Sequence, residues 1–495
     1  LGHRIAMNGK AIVTSAILAW TGSTVAAAPS SGGPIEPSWE SIRQNYAVPS
    51  WFTDGKFGII IHWGVFSVPA YVSESYPMQM YGNNREITRW HAENYGPQDQ
   101  FGYKDFVPLF QAEQFDPNVW AELFRRAGAR YVIPPAEHHD GFAMWDSALT
   151  RWDAKDMGPR RDLMGELAEA CRRQGLKFGL ANSSMEHYSY LYPGGNIRTD
   201  LFDPQYADFY GPPQQGPPDA DFQENYWFTR NKETIDKYRP DMLWLNAGVN
   251  SRDLDPIKLK LAAYYYNCAR EWGQEVSVST KGDGFLAGSI RDFETQGHSP
   301  KEMPSYVWQV ADSVGNKFGY VRDMQYKDAS LLIRRLVDTV SKNGNYLLNV
   351  APRANGTIPE PQQERLLEIG RWLAVNGEAI YGTGPWIRYG EGPYYDSPPG
   401  RIGDDPLNEH YSEQEVRFTT RGAVLYAIVL DWPKGEAIIR SLSRESPAAG
   451  RIKDVHLLGH ASPLEFTQAP DELRVRMPAR KPCDYAFVLK ISRFP

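Results

Sequence analysis

Short apolar runs, several ending abruptly on a polar residue, recur along the first three quarters of the chain. "KFGIII" stops at His62, "ARYVIPPA" runs into Glu137, His138, His139 and Asp140, and "LKFGLANSS", "DMLWLN", "EVSVSTKGD", "SIRDFET", "YVWQV" and "NYLLNVAP" follow. Runs that are apolar at nearly every position belong to strands covered on both faces, as in a parallel sheet. Between several of them, residues 119–128, 163–175 and 261–273 show helical spacing, and each ends on a glycine suited to a helix C-terminus. Eight strands interleaved with helices predict a closed (β/α)8-like barrel. The connections after "EVSVSTKGD" and "SIRDFET" are too short for full helices, and a helix over about 361–380 ends the region.

After Trp386 the pattern changes. "EVRFTT", "AVLYAIVL", "LRVRMP" and "YAFVLKI" alternate apolar and polar positions, which describes strands with one wet face and hence an antiparallel β-sandwich. The expected organisation is a barrel over residues 38–386 and a sandwich over 387–495. At the other end, Lys10 precedes an apolar stretch over 11–20 and small residues at Ala26–Ala28, a secretory signal pattern. Residues 1–28 are therefore expected to be a signal peptide, with Met7 as candidate initiator, and the Pro/Gly/Ser-rich residues 29–37 a linker. A secreted, extracellular protein is the expectation.

Composition narrows the partners. A net charge of -7 with no Lys/Arg-dense run excludes nucleic acid as an expected partner, because phosphate binding needs clustered cations. No stretch is long and apolar enough to predict a membrane span. Three cysteines without CxxC or paired Cys/His spacing make neither a disulfide framework nor a metal signature. Fifteen Trp and twenty-eight Tyr are more than a core requires, and rings of this kind stack on the C–H faces of sugars. Oligomeric state is not legible.

In a parallel barrel the functional residues sit where strands end on the C-terminal face. Collected there are His62 and Trp63, His138, His139 and Asp140, Glu186 and His187, Trp244 and Asn246, Lys281 and Asp283, Asp292 and Glu294, and Trp308. Histidines, aromatics and carboxylates on one rim describe a polar-sugar pocket; no GxGxxG or GxxxxGK[ST] motif opens a helix, so no nucleotide cofactor is expected. Metal binding by His62, His138, His139 and His187 is the competitor. It is set aside on the ground that neighbouring residues of a strand point to opposite sides, so no metal is expected.

"FGIIIHWGVFSVPAY", "YVIPPAEHHDGFAMWDS", "RRDLMGEL", "DMLWLN", "GSIRDFE" and the long "LVDTVSKNGNYLLNVAPRANGTIPEPQQERLLEIGRWLAVNGEAIYGT" together resemble the glycoside hydrolase family 29 α-L-fucosidases, from about residue 51 to 386. The resemblance implies exo-acting removal of terminal α-L-fucose from glycans by a retaining mechanism, without a cofactor. It also implies that His62, His138, His139 and Glu74 bind sugar hydroxyls, that Trp244 lies beside the nucleophile, and that Phe318 faces the fucose methyl group. Ser75 stands where the family has Trp. For the acid/base, "SIRDFE" matches the variant in which Glu294 serves, with Asp292 and Glu302 as runners-up.

The nucleophile position of that pattern is Asn246. A retaining glycosidase needs two carboxyl groups about 5–5.5 Å apart. An amide keeps the shape but lacks the charge that attacks the anomeric carbon. Three readings stay open: a trap variant, a fucose-binding pseudoenzyme, or an enzyme recruiting another carboxylate such as Glu186, Asp140 or Glu137.

Overall fold

The computed structural model describes residues 33–192, 194, 197–211, 216–294, 300, 302–393 and 412–494. The expected signal peptide, and residues 29–32 of the expected linker, lie outside the described residues. From Phe57 onward the chain lays down β1 (Phe57–Ile61), β2 (Tyr131–Ile133), β3 (Pro135–Glu137), β4 (Lys177–Asn182), β5 (Met242–Leu245), β6 (Ser277–Lys281), β7 (Ser289–Asp292), β8 (Trp308–Ser313) and β9 (Gly344–Val350). All neighbours pair in parallel, and the order β2-β1-β9-β8-β7-β6-β5-β4-β3 closes through a further β2–β4 pairing. The second strand of the barrel is split because Pro134 and Pro135 interrupt it, Pro lacking the N–H a ladder needs. This is the eight-stranded barrel that the apolar runs predict.

The helices form where the spacing places them, except that the third begins six residues earlier than expected, as Asp255–Trp272. Asp116 accepts from the amides of Asn118 and Val119 to start Pro117–Arg126, and Asp162 accepts from Gly165 to start Leu163–Arg173. Gly128, Gly175 and Gly273 follow the helix ends with φ of 91°, 72° and 66°, a left-handed turn that costs glycine little. Between β6 and β7 no helix forms. The helix Glu360–Asn376 follows the barrel.

Strand alternation then sorts the interior. Ile60, Ile133, Ala181, Met242, Trp244, Ile290, Ala311 and Leu347 pack together inside the barrel, whereas Ile59, Ile61, Leu243, Leu245 and Leu348 join the large core shared with the helices. Tyr131 also points inward, and its ring occupies the space beside Gly58, where a Cβ would come within 2.3 Å of it. Two positions on from this apolar layer, five strands turn polar, at His62, Asn246, Asp292, Ser313 and Asn349, and β6 ends on Lys281. The strands hand their inward register to the C-terminal rim.

The C-terminal part is antiparallel, with β10 (Gly384–Glu391), β11 (Val416–Arg421), β12 (Val424–Val429), β13 (Glu436–Ile439), β14 (Ile452–Leu457), β15 (Phe466–Gln468), β16 (Leu473–Arg476) and β17 (Phe487–Arg493). Five strands form one sheet, β10-β11-β12-β17-β14, and three form another, β13-β16-β15. Alternation in the sequence finds β11, β12, β16 and β17; β10 and β13–β15 are shorter or less regular and escape it. The sheet is tied to the barrel helices by buried groups. Trp372 Nε1 donates to the Ala486 carbonyl at 2.8 Å, and Arg417 Nε to Asp338 at 2.6 Å.

Candidate active site

Position 246 is the inward residue that follows Met242 and Trp244 on β5, and it is 7% exposed. Its Nδ2 lies 3.1 Å from Ser183 Oγ and 3.1 Å from His139 Nε2. Since the amide nitrogen donates, His139 Nε2 accepts, and the ring proton sits on Nδ1. That atom lies 2.7 Å from Glu186 Oε2, close enough for charge stabilisation although off the line of a good hydrogen bond. Gly248 allows this approach, because a Cβ there would meet Glu186 Cγ at 2.5 Å.

Beneath it, Trp244 is fixed by a 2.7 Å bond from Nε1 to Asp292 Oδ2. Asp292 also accepts from Gln309 Nε2 at 2.8 Å and the Ala311 amide at 3.2 Å. Burial pushes its carboxyl up to about 6 against the lowering effect of these donors. A carboxylate so committed anchors the Trp244 ring. Glu302 is exposed. Glu294 instead meets Lys281 Nζ at 2.8 Å, and the same ammonium lies 5.3 Å from the centre of the Trp244 ring.

Across the rim, His62 Nδ1 is 2.7 Å from Asn349 Oδ1. The amide nitrogen of Asn349 donates to Ser313 Oγ and the Phe318 carbonyl, so its oxygen must accept and His62 Nδ1 must carry the proton. Nε2 is left as a lone-pair acceptor. Burial lowers the His62 pKa despite the pull of Glu74 and Glu294, and His138 is driven well down by burial and then by His139 and His62. Both rings are thus neutral hydrogen-bonding groups at neutral pH.

The His138 and His139 ring centres are 4.3 Å apart, and those of His62 and His138 are 5.7 Å apart. The expectation that adjacent histidines point to opposite sides is corrected, because β3 ends at Glu137 and the pair lies beyond strand geometry. Among the described residues, no group of three or more His, Cys, Asp or Glu is gathered as metal ligands. His187 turns away from the rim, bonding the carbonyls of His139 and Phe209.

Glu74 reaches the rim from the loop after β1 and accepts from the Gly319 amide at 2.9 Å. A Cβ at 319 would lie 2.9 Å from the Glu74 backbone nitrogen, so glycine is what lets the two loops clasp. Clasping also places Phe318 with its ring 5.0 Å from that of His62. The Glu74 loop holds Ala70 and Val72 at φ of 48° and 67°, costly for a β-branched residue and typical of loops fixed for function. His62, Glu74, His138, His139, Trp244, Asn246, Glu294 and Phe318 are thereby linked through direct neighbours on one rim.

Of the alternative carboxylates, Glu137 is locked to Arg230 at 2.8 Å and Tyr226 at 2.8 Å, and Asp140 accepts from Tyr103 at 2.5 Å. Glu186 instead reaches position 246 through His139. Sequence reasoning missed Asn349, Gly319 and Tyr190, whose ring stacks on His139 at 4.6 Å. Asn349 had a signal: it is a polar letter inside "NYLLNVAP".

Two family models cover the chain, Alpha-L-fucosidase over residues 23–378 and Alpha-L-fucosidase C-terminal domain over 408–492. The chain is 32% identical to the tissue alpha-L-fucosidase of Homo sapiens, over 92% of this chain and 91% of that one. The crystal structure of the Thermotoga maritima alpha-fucosidase with a mechanism-based inhibitor superposes with a TM-score of 0.75 at 31% identity, covering 92% of this chain and 100% of that one. Its complex with fucose gives 0.73 at 32% identity, covering 92% and 99%. Matched by both family models and similar along its length to solved fucosidases, the chain belongs to the α-L-fucosidase family, glycoside hydrolase family 29.

Proposed function

We propose that the chain is an exo-acting α-L-fucosidase that removes terminal α-L-fucose from oligosaccharides or glycoconjugates with retention at the anomeric carbon. The observation that carries this reading is the convergence of His62, His138, His139 and Glu74 on a rim whose floor is Trp244 and whose opposite side holds Glu294. Neutral His62 Nε2 accepts from a sugar hydroxyl, Glu74 accepts from another, and Phe318 offers an apolar face to the methyl group above the closed floor that buried Trp244 makes. Glu294 donates the proton to the leaving oxygen and later takes one from water. Position 246 is where the attacking carboxylate belongs.

Binding without turnover is not favoured, since relatives matched over nearly the whole chain carry fucosidase names. Secretion is part of the same reading, carried by the charged and apolar pattern of residues 10–28. The test is release of fucose from an α-L-fucosyl disaccharide and from a nitrophenyl α-L-fucoside. Glu294→Gln is expected to lower turnover of the disaccharide on the order of 10²–10⁴-fold, and that of the nitrophenyl substrate, whose leaving group needs no proton, far less. Absence of release from both substrates contradicts the proposal.

A further inference from the structure

We infer that Asn246 is a modification site at which the folded chain hydrolyses its own side-chain amide to aspartate, an inference that rests on the fucosidase reading for its purpose and not for its chemistry. Retaining hydrolysis needs a carboxylate at 246, whereas the encoded residue is an amide. Beside that amide stand two of the groups that amide hydrolysis uses, a histidine at the leaving nitrogen and a carboxylate behind it. Nδ2, the atom that must leave, lies 3.1 Å from His139 Nε2, and His139 Nδ1 lies 2.7 Å from a Glu186 carboxylate oxygen. Ser183 Oγ, also 3.1 Å from Nδ2, holds the carboxamide in this orientation. The arrangement is built: Gly248 admits Glu186, and Asn246 itself is 7% exposed at the end of a closed barrel strand.

The step uses one water. Its oxygen adds to the side-chain carbonyl carbon while His139 Nε2 takes a proton, and Glu186 steadies the imidazolium so formed. His139 returns that proton to Nδ2 as the C–N bond breaks. Ammonia departs and takes the proton of the new carboxyl group, leaving aspartate and ammonium. His139 is the catalytic residue, since it touches the atom that leaves; Glu186 is a positioning residue acting through it. The product is the family nucleophile in place, 3.1 Å from a histidine able to donate to it once reprotonated.

Two other asparagines in the chain serve as references. Asn343 and Asn355 each precede glycine, the context in which uncatalysed deamidation through a cyclic imide is fastest, whereas Asn246 precedes Ala247. The experiment incubates the purified full-length chain in H₂¹⁸O at neutral pH and follows the three peptides by mass spectrometry. Position 246 is expected to convert ahead of Asn343 and Asn355, to incorporate one ¹⁸O, and to give aspartate without isoaspartate. Glu186→Gln should slow conversion at 246 on the order of 10²-fold and leave the two references unchanged, with Glu186→Asp recovering part of the rate.

Conversion at 246 no faster than at the references, or equally fast in Glu186→Gln, overturns the inference. Conversion without fucose release overturns the fucosidase reading and leaves the inference standing. Full fucose release by chain that retains Asn246 does the reverse.

Discussion

At the scale of the residue, the site is governed by which polar atoms are already committed. Asn349 uses its amide nitrogen on Ser313 and Phe318, which fixes the His62 tautomer, and the amide of Asn246 fixes that of His139 in the same way. Asp292, a runner-up to Glu294 as acid/base by sequence, anchors Trp244 and has three donors aimed at it. Asp292→Asn must turn an NH₂ group toward at least one of those donors. It is expected to destabilise the protein by about 1–3 kcal/mol, read as a lower denaturation midpoint, and to loosen Trp244, read in its fluorescence. An unchanged midpoint would show that the anchor is dispensable.

At the scale of the element, the barrel's inward register decides what reaches the pocket. Met242, Trp244 and Asn246 face inside while Leu243 and Leu245 face the helices, so a single strand supplies barrel core, pocket floor and the rim position of Asn246 in two-residue steps. That logic was legible in the sequence, because most of the apolar runs stop on a polar letter. The loops were not. Glu74 meets Gly319 across 245 positions, and His138 and His139 share a side only because β3 ends before them. Periodicity is silent about both, since it carries no information on where a chain turns back. Glycine contacts give the test: Gly248→Ala would place a methyl group 2.5 Å from Glu186 Cγ. It is expected to displace Glu186 from His139 at an overpacking cost of about 1–3 kcal/mol, and a crystal structure of the variant with the 2.7 Å pair intact would contradict this.

At the scale of the whole molecule, barrel and sandwich are joined by a buried network. Arg417 on β11 reaches Asp338 at 2.6 Å and Glu415 at 2.9 Å, while Lys342 meets Asp338 at 2.8 Å. These cations hold the Asp338 carboxyl down to about 2 despite its burial. The folded value lies below the unfolded one of about 3.9, so this stabilisation is complete above that pH and is lost as pH falls toward 2. Arg417→Ala leaves two buried carboxylates short of a partner and is expected to cost about 3–5 kcal/mol at neutral pH; a loss below 1 kcal/mol by denaturant titration would contradict it. The sandwich thereby braces the helix Ala329–Ser341, which packs outside β9, the strand that carries Asn349. All of this serves one centre, the carboxylate expected at position 246. The direct measurement is turnover of an aryl α-L-fucoside by Asn246→Asp, set against chain whose mass shows Asn246 intact, with the first product anomer read by NMR. A gain on the order of 10⁴–10⁶-fold with α-L-fucose released first is expected; no gain, or β-L-fucose first, would rule out a retaining nucleophile at position 246.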